Sequence, residues 1–297
     1  MKNIIMILRP LQWTKNLFCF AGLIFGGRLF ETNAILLSSI VFSIFCFTAS
    51  GVYIFNDIID RKYDHHHPRK KNRPIASGEI SVKTASIMGI IILSGCLFIS
   101  YCIGHNILNI VIIYILNNII YSLKLKHLPV LDVFSIGIGF VMRLMAGIYI
   151  LDHIPTAWVV LCTFFLAIFL GFGKRRAEIN SFLRTSLENF RQRPVIKRYS
   201  KEFLDKLIND SSIMSILCYA MFATTSGKNP TLIVTLPIVF YAISHYKYIV
   251  LIKNNGEEPE KIIISDLKIW LSVLIWVFCF IIIFYCDFQL FDNHIYK

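Results

Sequence analysis

Hydrophobic residues in this chain gather into nine blocks, near 16–30, 34–55, 83–103, 106–122, 130–151, 155–173, 210–227, 230–250 and 268–286. A helix needs roughly 20 mainly apolar residues to cross a bilayer. Most blocks meet that length, although the first is short and the seventh weakly apolar. None alternates apolar and polar residues at period two, so the pattern predicts helices and not barrel strands. Gly22 and Gly26 form a GxxxG, and Gly137, Gly139 and Gly147 line the fifth block. Small residues so placed predict close helix packing. The N-terminal stretch MKNIIMILRPLQWTKN is broken by Arg9, Pro10 and Lys15 and has no small-residue cleavage site. It reads as a short interfacial helix with Trp13 at headgroup level, not as a signal peptide.

Composition strengthens this picture. The chain is 56% hydrophobic and 16% charged, with 25 Phe and 9 Pro among 297 residues. Soluble domains carry about 25% charged residues, and so apolar a chain is neither soluble nor disordered. The expected fold is an all-α integral membrane protein, a single domain over 1–297 with about nine transmembrane helices and a polar pocket on the cytoplasmic side. The formal charge of +12 raises the question of nucleic acid. Its distribution answers no. All Lys and Arg except Arg28, Arg143, Lys228 and Lys297 fall in the N-terminal stretch or in and beside the loops near 56–82, 121–130, 174–209 and 251–267. The positive-inside rule then places the N-terminus and these loops in the cytoplasm and the C-terminus outside, in a plasma (inner) membrane. The eight Cys lie in or beside apolar blocks and form no CxxC. They read as small buried hydrophobes.

Acids among these cations carry the candidate chemistry. The second block runs into Asn56-Asp57-Ile58-Ile59-Asp60-Arg61-Lys62-Tyr63-Asp64. If the helix continues, positions 57, 60 and 64 share one face. Three carboxylates on one face repel one another unless a cation compensates them. Mg2+ is held by one or two carboxylates together with substrate phosphate oxygens, so the cluster suits a metal diphosphate. A solvated helix end paired with Arg61 and Lys62 is the plain alternative. The next residues, His67-Pro68-Arg69-Lys70-Lys71-Asn72-Arg73-Pro74-Ile75-Ala76-Ser77-Gly78, set cations beside the acids, as a polyphosphate requires. Three consecutive His (65–67) cannot all face one ion from a helix and read as solvated loop.

At these residues the sequence resembles the UbiA superfamily of intramembrane prenyltransferases, whose NDxxDxxxD signature appears at Asn56, Asp57, Asp60 and Asp64. It is most similar to one branch, the decaprenyl-phosphate phosphoribosyltransferases. Matching patterns are RPxQWxKN (Arg9, Pro10, Gln12, Trp13, Lys15, Asn16) and HPxKxxRPIAxG (His67 to Gly78). They continue with YSxxLK (Tyr121, Ser122, Leu125, Lys126), then Asp132, Gly139, Phe140, Arg143, Ala146 and Gly147. GKRxxE (Gly173, Lys174, Arg175, Glu178) and RPVxxxYxxxFL (Arg193 to Leu204) follow. Aromatic prenyltransferases of the superfamily carry a second acidic DxxxD where this chain has Gly-Lys-Arg-Arg-Ala-Glu (173–178), whose cations suit a phosphate-bearing acceptor. One departure is His245-Tyr246, where the branch leads us to expect Arg-Tyr.

The resemblance implies a nine-helix all-α fold, with 5-phosphoribosyl-1-diphosphate as donor and a polyprenyl phosphate as acceptor. Diphosphate would leave, and the product would serve cell-envelope polysaccharide synthesis. Asp57, Asp60 and Asp64, with Asn56, would hold Mg2+. Lys70 and Arg73 would bind donor phosphates. Lys15, Asn16, Tyr121, Lys126, Asp132, Lys174, Arg175 and Glu178 would complete the substrate pocket. Several have plainer readings: Lys15 as an interfacial anchor, Lys126 and Lys174 as topogenic charges, Asp132 as a helix cap. Arg143 lies mid-span, where a charge usually faces the bundle interior; it would contact a phosphate or form an internal ion pair. The loop 174–209 would form surface helices over the pocket. Two rivals are a prenyltransferase acting on an aromatic acceptor and a transporter of anionic solutes.

Overall fold

The computed structural model describes residues 2–65, 70–185, 194–225, 229–286 and 290. Helices and turns account for its regular structure, and no strand occurs among these residues. Among the described residues the contacts divide into two compact units, one over 2–154 with Pro194 and one over 155–185 with 195–290.

The first unit contains α1 (Lys2–Leu8), a 3-10 helix over Pro10–Phe20, α2 (Ala21–Gly26), α3 (Thr32–Asp64), α4 (Val82–Ile103), α5 (His105–Leu123) and α6 (Leu131–Tyr149). Helix α3 packs on α4, α4 on α5 and α5 on α6, while the 3-10 helix lies on α3 and α6. A core of Val41, Ile44, Phe45, Cys96, Ile107, Ile110, Val111 and Tyr114 joins α3, α4 and α5. Ser81 caps α4, its hydroxyl accepting from the Thr84 N–H at 3.1 Å.

The second unit contains α7 (Ala157–Thr185), α8 (Lys201–Thr225), a 3-10 helix over Pro230–Thr235, α9 (Leu236–Leu251), α10 (Pro259–Ser265) and α11 (Leu267–Tyr285). Helices α7 and α8 form its largest contact, and α11 packs on α9. Tyr219 of α8 takes a hydrogen bond from the Trp276 indole of α11 at 2.7 Å and shares another with Thr235. Asp266 caps α11 through the N–H groups of Lys268 and Ile269, both at 3.1 Å.

Eight helices among the described residues are long and apolar enough to cross a membrane. Helices α4 and α11 bury only 17% and 22% of their most apolar stretches within the protein, and α4 leaves Ile87, Ile90, Ile91 and Phe98 exposed. Hydrocarbon left bare on that scale needs lipid against it, so this is a multi-pass membrane protein. α1 keeps Ile4, Ile5 and Met6 exposed and Ile7 buried, in line with an interfacial helix.

The first expected span, 16–30, takes another form. Its chain is the 3-10 helix and α2, ending at Gly27 with φ 72°. The two pieces together extend about 30 Å at the usual rises of the two helix types. A 3-10 helix stacks residues three apart, and its inward contacts recur at that period. Trp13 donates to Ser50 of α3, Asn16 is fully buried, and Cys19 is fully buried. Trp13 therefore packs on α3, beside Phe47, and is not simply a headgroup anchor.

The expected loop 174–209 is shorter than it reads. Helix α7 continues to Thr185 and α8 begins at Lys201, with a 3-10 turn at Pro194–Arg198; residues 186–193 lie outside the described part. Charged turns at the ends of α7 and α8 look like loop by hydropathy, yet they propagate helices that packing has already formed.

Of the glycines expected at close contacts, Gly22 and Gly147 pack directly against backbone. A Cβ on Gly22 would stand 2.0 Å from the Gly147 carbonyl oxygen, and one on Gly147 would stand 2.0 Å from that of Cys19. Backbone meets backbone there, and no flexible side chain can yield. Gly147→Ala is expected to cost about 3 kcal/mol and to lower the thermal unfolding midpoint in detergent sharply. Gly95→Ala on α4, with nothing within 4 Å of its Cβ, should leave the midpoint unchanged or raised.

Candidate functional site

Helix α3 continues unbroken through Asp64, so positions 57, 60 and 64 do share a face. Asp57 and Asp64 are buried, and Asp60 is partly exposed. Each acid meets a cation. Arg73 Nη1 donates to Asp57 Oδ1 at 2.9 Å and to Asp64 Oδ2 at 2.5 Å. Arg9 donates to the same Oδ1 of Asp57. Lys126 Nζ donates to Asp60 Oδ1 at 2.8 Å. Asn56 sits half-buried beside them.

The local sequence explains how these cations arrive. Ile75, two residues after Arg73, is buried in a cluster with Ile54 of α3, Ala85 of α4 and Ile7 of α1. The loop tightens around it: the Ser77 N–H donates to the Arg73 carbonyl at 2.8 Å and the Ile80 N–H to that of Pro74 at 2.9 Å. Gly78 closes the turn at φ 84°, in the left-handed region glycine tolerates. Ile7, two residues before Arg9, brings α1 to the same cluster. Ile54 lies one turn before Asp57, so one apolar anchor sets both guanidinium groups against the acids. Lys126 comes from the 3-10 turn Leu125–His127 between α5 and α6.

Tyr121 lies in the last turn of α5 and Asp132, fully buried, in the first turn of α6. They flank the Lys126 turn. The cap position of α6 is Val130, not Asp132. His67, Pro68 and Arg193 lie outside the described residues, as does the side chain of Lys70.

Asn16 and Arg143 form a separate interior node. Arg143 is buried and donates three hydrogen bonds, from Nε to Asn16 Oδ1 at 2.6 Å, Nη1 to the Gly139 carbonyl at 2.7 Å and Nη2 to the Tyr114 hydroxyl at 2.8 Å. Its guanidinium lies 4.8 Å from the Tyr114 ring centroid and 5.5 Å from that of Phe140. No ion pair forms at this charge among the described residues. Neutral acceptors and aromatic faces stabilise it instead. Asn16 also donates to the Cys46 sulfur at 3.2 Å. Its side chain is thus committed to the interior, whereas Lys15 donates to Gln12 at 2.7 Å.

Lys174, Arg175 and Glu178 belong to the second unit, on α7. Arg175 is fully buried and donates to Glu178 at 2.6 Å, and Arg176 donates to Asp205 of α8 at 2.7 Å. An open hollow of about 550 Å³ in this unit is lined by Asn180, Lys253, Asn254, Glu257, Glu258 and Lys261. None of the three lines it.

The acids and Asn56 supply hard oxygen donors of the kind Mg2+ takes. No three acidic, His or Cys side chains form a ready metal cage among the described residues. Mg2+ does not demand one, because substrate phosphates complete its shell. One cationic nitrogen, Arg73 Nη1, already bridges Asp57 and Asp64, so the two carboxylates can share a cation. The donor set fits a divalent ion that arrives with phosphate.

Residues 16–272 match the UbiA prenyltransferase family. The chain belongs to that family. The match runs through both units. The chain is 28% identical over 291 residues to a decaprenyl-phosphate phosphoribosyltransferase of Corynebacterium glutamicum, covering 95% of this chain and 87% of the relative. It is 27% identical to the enzyme of that name from Mycolicibacterium smegmatis, covering 93% and 90%. Among solved structures, a UbiA homolog from Archaeoglobus fulgidus bound to GPP and Mg2+ superposes with a TM-score of 0.71 at 21% identity, covering 94% of this chain and 99% of that one. This likeness shows the shared all-helical fold.

Arg9 is the residue that sequence reasoning left without a role. Its signal was its place in RPxQWxKN, but no spacing tied position 9 to position 57. For the interior node, Asn16→Ala would leave Arg143 Nε without its acceptor. A loss of about 2 kcal/mol is expected, read from thermal unfolding in detergent, with Asn16→Asp milder. A loss below about 0.5 kcal/mol would show that Nε finds another acceptor.

Proposed function

We propose that this UbiA-family transferase moves a 5-phosphoribosyl group from 5-phosphoribosyl-1-diphosphate to a polyprenyl phosphate, releasing diphosphate, with Mg2+ as cofactor. Similarity along 95% of the chain to an enzyme named for that activity carries the reading. The acid face of α3, interleaved with Arg73 and Lys126, supports it, because a polyphosphate needs both a metal clamp and cations beside it.

An oxygen of the lipid phosphate forms a bond to the anomeric carbon as the bond from that carbon to the diphosphate oxygen breaks. Charge at the transition state lies on the ribosyl ring, with oxocarbenium character, and on the departing diphosphate. Asp57, Asp60 and Asp64, with Asn56, would hold the divalent cation, which would supply neutralising charge to the leaving group. Arg73, Lys70 and Lys126 bind phosphate oxygens that the metal leaves uncompensated. The acceptor needs no strong base, since a phosphate monoester is already anionic near neutral pH, with a second pKa of about 6. Tyr121 and Asp132 flank the Lys126 turn and shape its approach. Lys15 adds charge from the N-terminal segment, while Asn16 acts by holding Arg143. Lys174 and Arg175, with Glu178, form a mostly basic cluster on α7 of the second unit, of a kind suited to phosphate.

The basic loops support a cytoplasmic position for this face at a plasma membrane, where a soluble phosphoribosyl donor is at hand, and the product suits cell-envelope polysaccharide synthesis. The test uses purified protein in detergent, Mg2+, radiolabelled 5-phosphoribosyl-1-diphosphate and polyprenyl phosphates of several lengths. Label should enter the lipid phase only with Mg2+, and Asp57→Asn or Asp60→Asn should reduce it by about 100-fold or more. Intact protein that transfers no label to any chain length would overturn the reading in favour of prenyl transfer to an aromatic acceptor.

A further inference from the structure

Arg9 differs from the other cations of the α3 face in how it is held. Its backbone has φ 52° and ψ 58°, in the left-handed region, between α1 and Pro10. A non-glycine residue stays there only where its surroundings over-determine it, and such residues cluster at functional sites. Two hydrogen bonds fix the segment on either side of Arg9. The Leu8 carbonyl accepts from Ser50 Oγ at 2.7 Å, and the Trp13 indole donates to that same oxygen at 3.1 Å. Residues 8 and 13 are thereby pinned to one point of α3. Between them, the Arg9 guanidinium passes 5.1 Å from the Tyr53 ring centroid and donates to Asp57. Ser50, Tyr53 and Asp57 are i, i+3 and i+7 on one face of α3, so the segment delivers Arg9 along that face to its first acid.

Asp57 Oδ1 receives two guanidinium groups, from Arg9 and Arg73. Arg73 is also tied to Asp64, whereas Asp57 is the one acid paired with Arg9 among the described residues. A divalent cation at Asp57 must compete with both, and Arg9 has one acid contact against two for Arg73. Once displaced, its fixed backbone keeps the guanidinium beside the acids, where a bound diphosphate brings oxygens suited to a planar fork.

We propose that Arg9 is a diphosphate-binding residue held in reserve on Asp57: it yields the carboxylate to the divalent cation and turns to the diphosphate that accompanies it. This rests on the reading of the α3 face as a metal–diphosphate site, and is independent of which group the diphosphate carries.

The test separates the two halves of that exchange without turnover. Mn2+ binding to the full-length protein in detergent is titrated by electron paramagnetic resonance with no substrate present. Inorganic diphosphate binding is then titrated calorimetrically at saturating Mg2+. Arg9→Gln should bind Mn2+ about tenfold more tightly, because a competitor is gone, and Mg2+–diphosphate about tenfold more weakly, because a charge-assisted contact is lost. Arg9→Lys, which keeps the charge and loses the fork, should move both in the same directions by less, and it decides the matter if Arg9→Gln is not monodisperse. Opposite signs support the proposal. Both affinities unchanged, both weakened, or only one altered would overturn it, since a merely structural arginine predicts one of those. A parent protein that binds Mn2+ neither alone nor with inorganic diphosphate would sink the metal reading itself, and the proposal with it.

Discussion

Three carboxylates on one face of a helix cannot be buried in a low-dielectric bundle without compensating charge. That constraint organises the first unit. Asp57, Asp60 and Asp64 are met by Arg73, Arg9 and Lys126, which come from the α3–α4 loop, the N-terminal segment and the α5–α6 turn. Each of those segments is tethered elsewhere, two of them through the cluster of Ile7, Ile54, Ile75 and Ala85. The result is an ion-paired face that is close to neutral by itself. An incoming metal and its polyphosphate can exchange partners with it pair for pair, so charges do not have to be created or left bare.

The N-terminal segment is the second structural commitment. It lies against α3 and α6 closely enough that glycine is required at the Gly22–Gly147 contact. Its inward residues recur every third position. Through Asn16 it supplies an acceptor to Arg143, a charge stabilised without an acid. The segment is thus both a packing element and the carrier of Arg9, and the strain at Arg9 is the local cost of serving both ends.

Much of this was legible in the sequence. Block lengths gave eight of the helices, the basic loops suggested a topology, and NDxxDxxxD placed the acids on one face. The features that escaped share a physical cause: they depend on long-range contacts. The three-residue period of Trp13, Asn16 and Cys19 is invisible to hydropathy, which sees only a short apolar block. The charged ends of α7 and α8 read as separate surface helices, whereas they continue the long helices, because polarity and helicity are independent once a helix is nucleated. Asn16 read as a pocket residue because its motif is polar, whereas its side chain is spent on Arg143 and Cys46. Arg9 was hidden because its partner lies 48 residues away.

In the proposed reaction the carboxylates of α3 hold a divalent cation on the diphosphate of a substrate. The most direct measurement is 31P electron–nuclear double resonance of Mn2+ bound to the protein with 5-phosphoribosyl-1-diphosphate. A phosphorus coupling of a directly coordinated phosphate is expected, lost in Asp57→Asn together with the bound metal. Bound Mn2+ with no phosphorus coupling, or a coupling indifferent to substitution at Asp57 and Asp60, would contradict it.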